Sequence, residues 1–163
     1  MVKLNLSSQI VLNKVPEEFY HPKTAVELSE LTRCEKLPTT IFPKTEEGAL
    51  SIATTIANAI RQKQQSGQYC VLGLGTGSSL TPVFNELIRL HKEEKLSFSN
   101  VVVFNAYEYF PLQPSAKNST LNQLKERLLN HIDINPQNVF TLEGTVPQER
   151  VQESCRLYEQ RIQ

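Results

Sequence analysis

Tryptophan is absent, methionine occurs once, and aromatic residues make up only 7% of the 163 positions. So thin an aromatic supply argues against a base-stacking surface for nucleic acid. Excess charge is missing too, since 17 Lys and Arg face 17 Asp and Glu. No net positive field remains to hold nucleic acid or an anionic membrane, so neither is an expected partner. The apolar runs are a handful of residues long, far below a membrane span. Met1-Val2-Lys3-Leu4-Asn5-Leu6 offers no apolar signal core and no small-residue cleavage site. Cys34, Cys70 and Cys155 are odd in number and lack metal-type spacing, so neither a metal site nor a disulfide framework is expected. These absences leave a cytoplasmic, reduced protein, long enough for one domain with a proper core.

What the chain does have is Gly73-Leu74-Gly75-Thr76-Gly77-Ser78-Ser79, placed between the apolar run Tyr69-Cys70-Val71-Leu72 and an amphipathic segment from Leu80 to Lys92. A strand that enters a small-residue turn and then a helix is an arrangement that binds phosphate. Glycine lets backbone approach the anion, and the first N–H groups of a helix have no intrahelical partner. Gly75, Thr76, Gly77, Ser78 and Ser79 are therefore the candidate anion-binding residues. The Walker loop is excluded, because no Gly-Lys-Ser/Thr closes the run. The dinucleotide fingerprint fits poorly, because its third glycine falls on Ser78.

Around this turn the patterning predicts alternating strands and helices. Residues 1–44 read as an irregular arm that wraps the domain or meets another subunit, with a short helix over 24–32 and a short strand at Thr39-Thr40-Ile41-Phe42. Residues 45–163 form the domain. Thr45 caps a helix with Leu50, Ala53, Ile56, Ala57 and Ile60 inward, closed by Gly67. The helix after the turn shows Leu80, Val83, Phe84, Leu87 and Ile88 on one face. Val101-Val102-Val103-Phe104 reads as a strand buried on both faces, and strand, helix and strand make a βαβ unit of a parallel sheet. Ser119 caps a helix bearing Leu121, Leu124, Leu128 and Leu129. A third strand spans 138–142, and a last helix opens at Pro147 with Val151, Cys155, Tyr158 and Ile162 inward. In such sheets ligands bind outside the carboxyl ends of the strands, so 73–79 and 105–110 should face one crevice.

The blocks Leu72 to Ser79, Glu86 to Lys92, Leu96-Ser97-Phe98 with Asn100-Val101-Val102, Phe104 to Tyr109, His131-Ile132-Asp133-Ile134 and Cys155 to Glu159 together resemble glucosamine-6-phosphate deaminase, in that family's order and spacing. The likeness runs from about Lys44 onward. It implies an α/β fold, a Rossmann-like parallel sheet flanked by helices, incomplete at the C-terminus. It also implies a sugar phosphate as ligand, further copies of the chain as possible partners, and no cofactor. The family turns glucosamine 6-phosphate and water into fructose 6-phosphate and ammonia by ring opening, proton transfer between C1 and C2, and loss of the amine. Its glycine-rich loop holds the phosphate, a role that falls here on Thr76, Gly77 and Ser78.

Two departures accompany the resemblance. The family reads Phe-Asn-Met-Asp-Glu-Tyr after its second strand, and the Asp moves the proton. Here Tyr107 stands at that place, between Asn105-Ala106 and Glu108-Tyr109. A phenol near pKa 10 is ionised to only ~0.1% at pH 7, so Tyr107 needs strong anion stabilisation to serve as base. Glu108 is the alternative catalytic residue, and Asn105 is a candidate to orient a substrate hydroxyl. The second departure is that the family's ring-opening His loop has no match in the chain, whose histidines are His21, His91 and His131. The chain by itself is therefore expected to be inactive. Two other functions compete: a sugar-phosphate sensor without turnover, and a 6-phosphogluconolactonase-like hydrolase. Phe104-Asn105 and His131 to Ile134 favour the deaminase side.

Overall fold

A computed structural model describes residues 22–34, 37 and 39–163. They fall into two units, one up to Gly48 and one from Ala49 to Gln163. In the first, α1 (Ala25–Thr32) starts on a capping box. The Thr24 hydroxyl accepts from the Glu27 N–H, and the Glu27 carboxylate accepts the Lys23 and Thr24 N–H groups. The expected strand at 39–42 does not form, and that segment is irregular. Its Thr, Ile and Phe fit a pleated surface, but propensity without a paired neighbour makes no ladder. Most of the arm, and His21 with it, lies outside the described residues.

Helix α2 (Thr45–Gln65) carries Glu46 and Glu47 in its first turn, where its dipole favours negative charge. Gly67, at φ 66°, takes the left-handed turn that follows. Ala49, Ala53, Ala57 and Ile60 are buried, whereas Leu50 is exposed. The expected stripe therefore holds at Ala53, Ile56, Ala57 and Ile60, with Ala49 in place of Leu50 at its start.

Strands β1 (Cys70–Leu74), β2 (Val101–Asn105) and β3 (Val139–Phe140) form a parallel sheet in the order β1-β2-β3. Cys70 pairs with Val101, Leu74 with Asn105 and Phe104 with Phe140. With a side-chain period of two, Cys70, Leu72, Leu74, Val101, Val103 and Asn105 share one face. Buried side chains of α2, α3 (Thr81–Glu94) and α4 (Thr120–Arg127) complete the core around the apolar residues of this face. Val83, Phe84, Leu87 and Leu90 come from α3, and Leu124 from α4.

The opposite face is covered unevenly. Phe104 stacks on Phe140 at 5.0 Å and meets Tyr158 of α5 (Val151–Ile162) edge-on at 5.8 Å. Val71 on the same face is 61% exposed. The reading of buried strands therefore holds for one face of β1 and β2, while the other is only partly covered. Helix α5 also differs from expectation: Tyr158 turns inward, but Cys155 and Ile162 are exposed. Tyr158 donates to the Asn105 and Phe140 carbonyls, which fixes the rotation of the helix. Among the described residues no helix is long and apolar enough to cross a membrane.

Candidate phosphate site

Strand β1 ends at Leu74, and its carbonyl accepts the Ala106 N–H at 2.8 Å, which ties the two strand exits together. The loop 75–77 leads into a 3-10 turn, Ser78–Leu80, that continues as α3. The first internal bonds of this helical run are donated by Leu80 to the Gly77 carbonyl and by Thr81 to the Ser78 carbonyl. The N–H groups of Gly77, Ser78 and Ser79 precede those bonds. Pro82 sits in the first turn of α3, where a missing N–H costs nothing. Gly77, Ser78 and Ser79 are exposed, whereas Thr76 is 5% exposed.

Tyr107 lies over this loop. A Cβ built on Gly75 would stand 3.6 Å from the Tyr107 ring, and the Tyr107 hydroxyl is 3.5 Å from Thr76 Oγ1. Tyr109 meets Tyr107 edge-on at 5.8 Å. The sequence therefore brings Gly75, Thr76 and Tyr107 together, as two neighbouring strand exits require.

Glu108 faces a different task. Its Oε1 accepts the N–H groups of Tyr109 and Thr120 at 2.9 and 3.0 Å. Its Oε2 accepts the Ser119 hydroxyl and the Leu121 N–H at 2.8 and 3.1 Å. Burial pushes the Glu108 carboxyl up, but the bonds from Thr120, Tyr109, Leu121 and Ser119 outweigh it and hold it below its ordinary value. Two of these donors are among the orphan N–H groups of the first turn of α4. Ser119 is the N-cap of that helix, accepting the Asn122 N–H as its sequence position suggests.

Asn105 is 1% exposed and belongs to the same junction. Its Nδ2 donates to Thr120 Oγ1 at 2.7 Å, and that hydroxyl donates to the Tyr107 carbonyl. Because the Thr120 proton goes to Tyr107, its oxygen must accept from the Asn105 amide, which fixes how that amide is turned. Asn105 Oδ1 is then a buried acceptor without a partner among the described residues.

One residue near the loop carried no signal in the sequence. Arg127, in the last turn of α4, donates from Nη1 to the Thr76 carbonyl at 2.8 Å. Helix α4 thus joins both strand exits, held by Glu108 at its start and holding the loop at its end. Among the described residues no histidine is bonded to this loop. His91 Nδ1 lies 2.6 Å from the Leu96 carbonyl, and His131 Nε2 lies 2.9 Å from the Glu126 carbonyl. Among the described residues no cluster of His, Cys, Asp or Glu is arranged to hold a metal ion.

A fold of this kind, with this loop, matches known proteins. The family described as glucosamine-6-phosphate isomerases/6-phosphogluconolactonase matches residues 43–163, and the chain belongs to that family. It is 56% identical over 162 residues to a glucosamine-6-phosphate deaminase-like protein of Bacteroides thetaiotaomicron, spanning 99% of this chain and 24% of that protein. It is 41% identical over 120 residues to glucosamine-6-phosphate deaminase 2 of Giardia intestinalis, spanning 74% of this chain and 43% of that one. The solved structure of a monomeric glucosamine-6-phosphate deaminase superposes with a TM-score of 0.68 at 34% identity, over 73% of this chain and 47% of that one. The 6-phosphogluconolactonase of Trypanosoma brucei shares the fold, with a TM-score of 0.58 at 19% identity over 77% of this chain and 49% of that one. The chain thus spans less than half the length of each of these relatives.

Proposed function

We propose that this chain supplies the phosphate-binding part of a glucosamine-6-phosphate deaminase-type site, within a protein that releases ammonia from glucosamine 6-phosphate and leaves fructose 6-phosphate. In this reading the N–H groups of Gly77, Ser78 and Ser79, with the hydroxyls of Ser78 and Ser79, take the phosphate. Gly75 keeps the backbone low beneath Tyr107, and Thr76 anchors the loop from below. The observation that carries it is a run of exposed residues whose N–H groups precede the first helical bond, at a strand exit, in a chain whose relatives are named deaminases.

Glu108 serves as a structural acid in this reading, because both of its oxygens already hold α4 and its own exit loop. Asn105 holds the same junction, with Oδ1 an acceptor that has no partner among the described residues. Tyr107 stands at the position of the Asp that moves the proton in the family, beside Gly75 and Thr76. The arm of residues 1–44 and the domain of 45–163 remain the proposed division, with a cytoplasmic location and further copies of the chain as proposed partners. Ammonia release by the full-length protein under saturating glucosamine 6-phosphate is the test. Release above background is expected, and none removes the enzyme reading.

A second reading has its own support. With a phenol in place of a carboxylate and Glu108 otherwise engaged, the site could bind a sugar phosphate without turning it over. Calorimetry separates the two: binding without ammonia favours a sensor, and no binding excludes both.

A further inference from the structure

We infer that Arg127 is a positioning residue that latches the Thr76–Gly77 peptide in its anion-receptive orientation. The inference rests on the phosphate reading of the loop and adds a residue to it. In a planar trans peptide the C=O and the following N–H point in opposite directions. Arg127 Nη1 grips the Thr76 carbonyl at 2.8 Å, so the N–H of Gly77 points away from the guanidinium. That N–H is one of the donors the phosphate reading needs. A turned peptide would instead present the Thr76 carbonyl oxygen at that position and repel the anion.

The loop needs such a latch, because glycine at 77 lets this peptide rotate at little steric cost. Gly77 at φ −56° and ψ 148° adopts a conformation open to any residue, so the backbone itself does not lock the peptide. The lock comes from outside. A charged donor to a carbonyl is stronger than a neutral one, and this one is partly buried. It sits on α4, whose first turn is itself held by Glu108 and Ser119. Arg127 therefore acts from behind the loop, through the backbone, and not as a ligand of the phosphate. A direct ligand loses most of its value when its charge goes, whereas a latch is served by any donor that reaches Thr76.

The test is a titration of the full-length protein with inorganic phosphate, read by calorimetry and by the amide resonances of the loop, for wild type, Arg127→Met and Arg127→Lys. Arg127→Met should bind roughly tenfold or more weakly, from loss of a charged hydrogen bond that selects the binding conformation. The Gly77 amide should then lose its phosphate-dependent shift. Arg127→Lys, which keeps a donor, should recover much of the affinity and that shift. A merely structural role would lower thermal stability without moving the Gly77 resonance selectively. If Arg127→Met does not fold, Arg127→Leu, which also removes the donor, is judged by the same two readouts. Arg127→Met that binds phosphate as tightly as wild type, with the same Gly77 shift, overturns the latch alone. Wild type that binds no phosphate overturns the phosphate reading, and the latch with it.

Discussion

The Ser119 hydroxyl donates to Glu108 Oε2 at 2.8 Å, joining the exit of β2 to the N-cap of α4. This pair explains why an acid follows Tyr107 and why its charge matters to the fold. The ionised carboxylate is the form that accepts four donors, so its folded pKa lies below the ordinary value near 4.3. Its contribution to stability is full above the unfolded pKa and is lost as pH falls through the folded one.

Glu108→Gln should therefore cost about 1–2 kcal/mol at pH 7, the scale of a lost helix cap. The gap to wild type should close as the pH falls below about 4. Urea unfolding across this range measures both. Asp133, also held below its ordinary value despite burial by the Phe98 N–H, the Ser97 hydroxyl and the nearby His91, is present in both proteins and cancels in the difference. A difference that stays constant with pH would show that the charge of Glu108 is not what holds α4.

Tyr107→Asp should restore the family's carboxylate over Gly75. If the phenol is what limits turnover, ammonia release by the full-length protein should rise by about 10²-fold or more, the range of a positioned base. An unchanged rate, with the variant folded and phosphate still bound, would remove Tyr107 as the limiting group.

Thr120→Val deletes the hydroxyl that accepts from Asn105 and donates to the Tyr107 carbonyl. Two polar groups would lose their partner, at a cost of about 1–3 kcal/mol. Chemical denaturation tests this. A change within about 0.5 kcal/mol, the scale of an ordinary surface substitution, would contradict the buried network.

Gly144→Ala probes the wall beside Tyr109. A Cβ there would lie 2.5 Å from the Leu112 carbonyl oxygen and 2.8 Å from that of Tyr109. Both neighbours are backbone, and the Gly144 carbonyl also accepts the Leu112 N–H at 2.9 Å. A loss of about 1–3 kcal/mol is expected, as for other forced overpacking. A neutral thermal melt would mean that the 109–112 segment moves freely.

Local signals made part of this architecture legible. The apolar run, the glycine-rich turn and the amphipathic helix after it are contiguous, so β1, the loop and α3 could be read together. Tyr107 against Gly75 follows once the two strands are neighbours. Helix faces were harder: the stripe on α2 begins at Ala49, not Leu50, and α5 leaves Cys155 and Ile162 in solvent. A short helix offers few turns to fix its phase, and the Tyr158 hydroxyl decides the matter through distant carbonyls. Glu108 read as an alternative catalytic residue, and its structural partners were not legible because the α4 amides begin 12 positions later in the chain. Arg127 was invisible for the same reason, with 51 positions between it and Thr76.

A crystal structure of the full-length protein with glucosamine 6-phosphate is the most direct check on the loop. The phosphate oxygens should lie about 2.7–3.2 Å from the N atoms of Gly77, Ser78 and Ser79, with the Thr76 carbonyl still turned toward Arg127. A sugar phosphate found bound elsewhere, with those three N–H groups in contact with solvent only, would contradict the assignment.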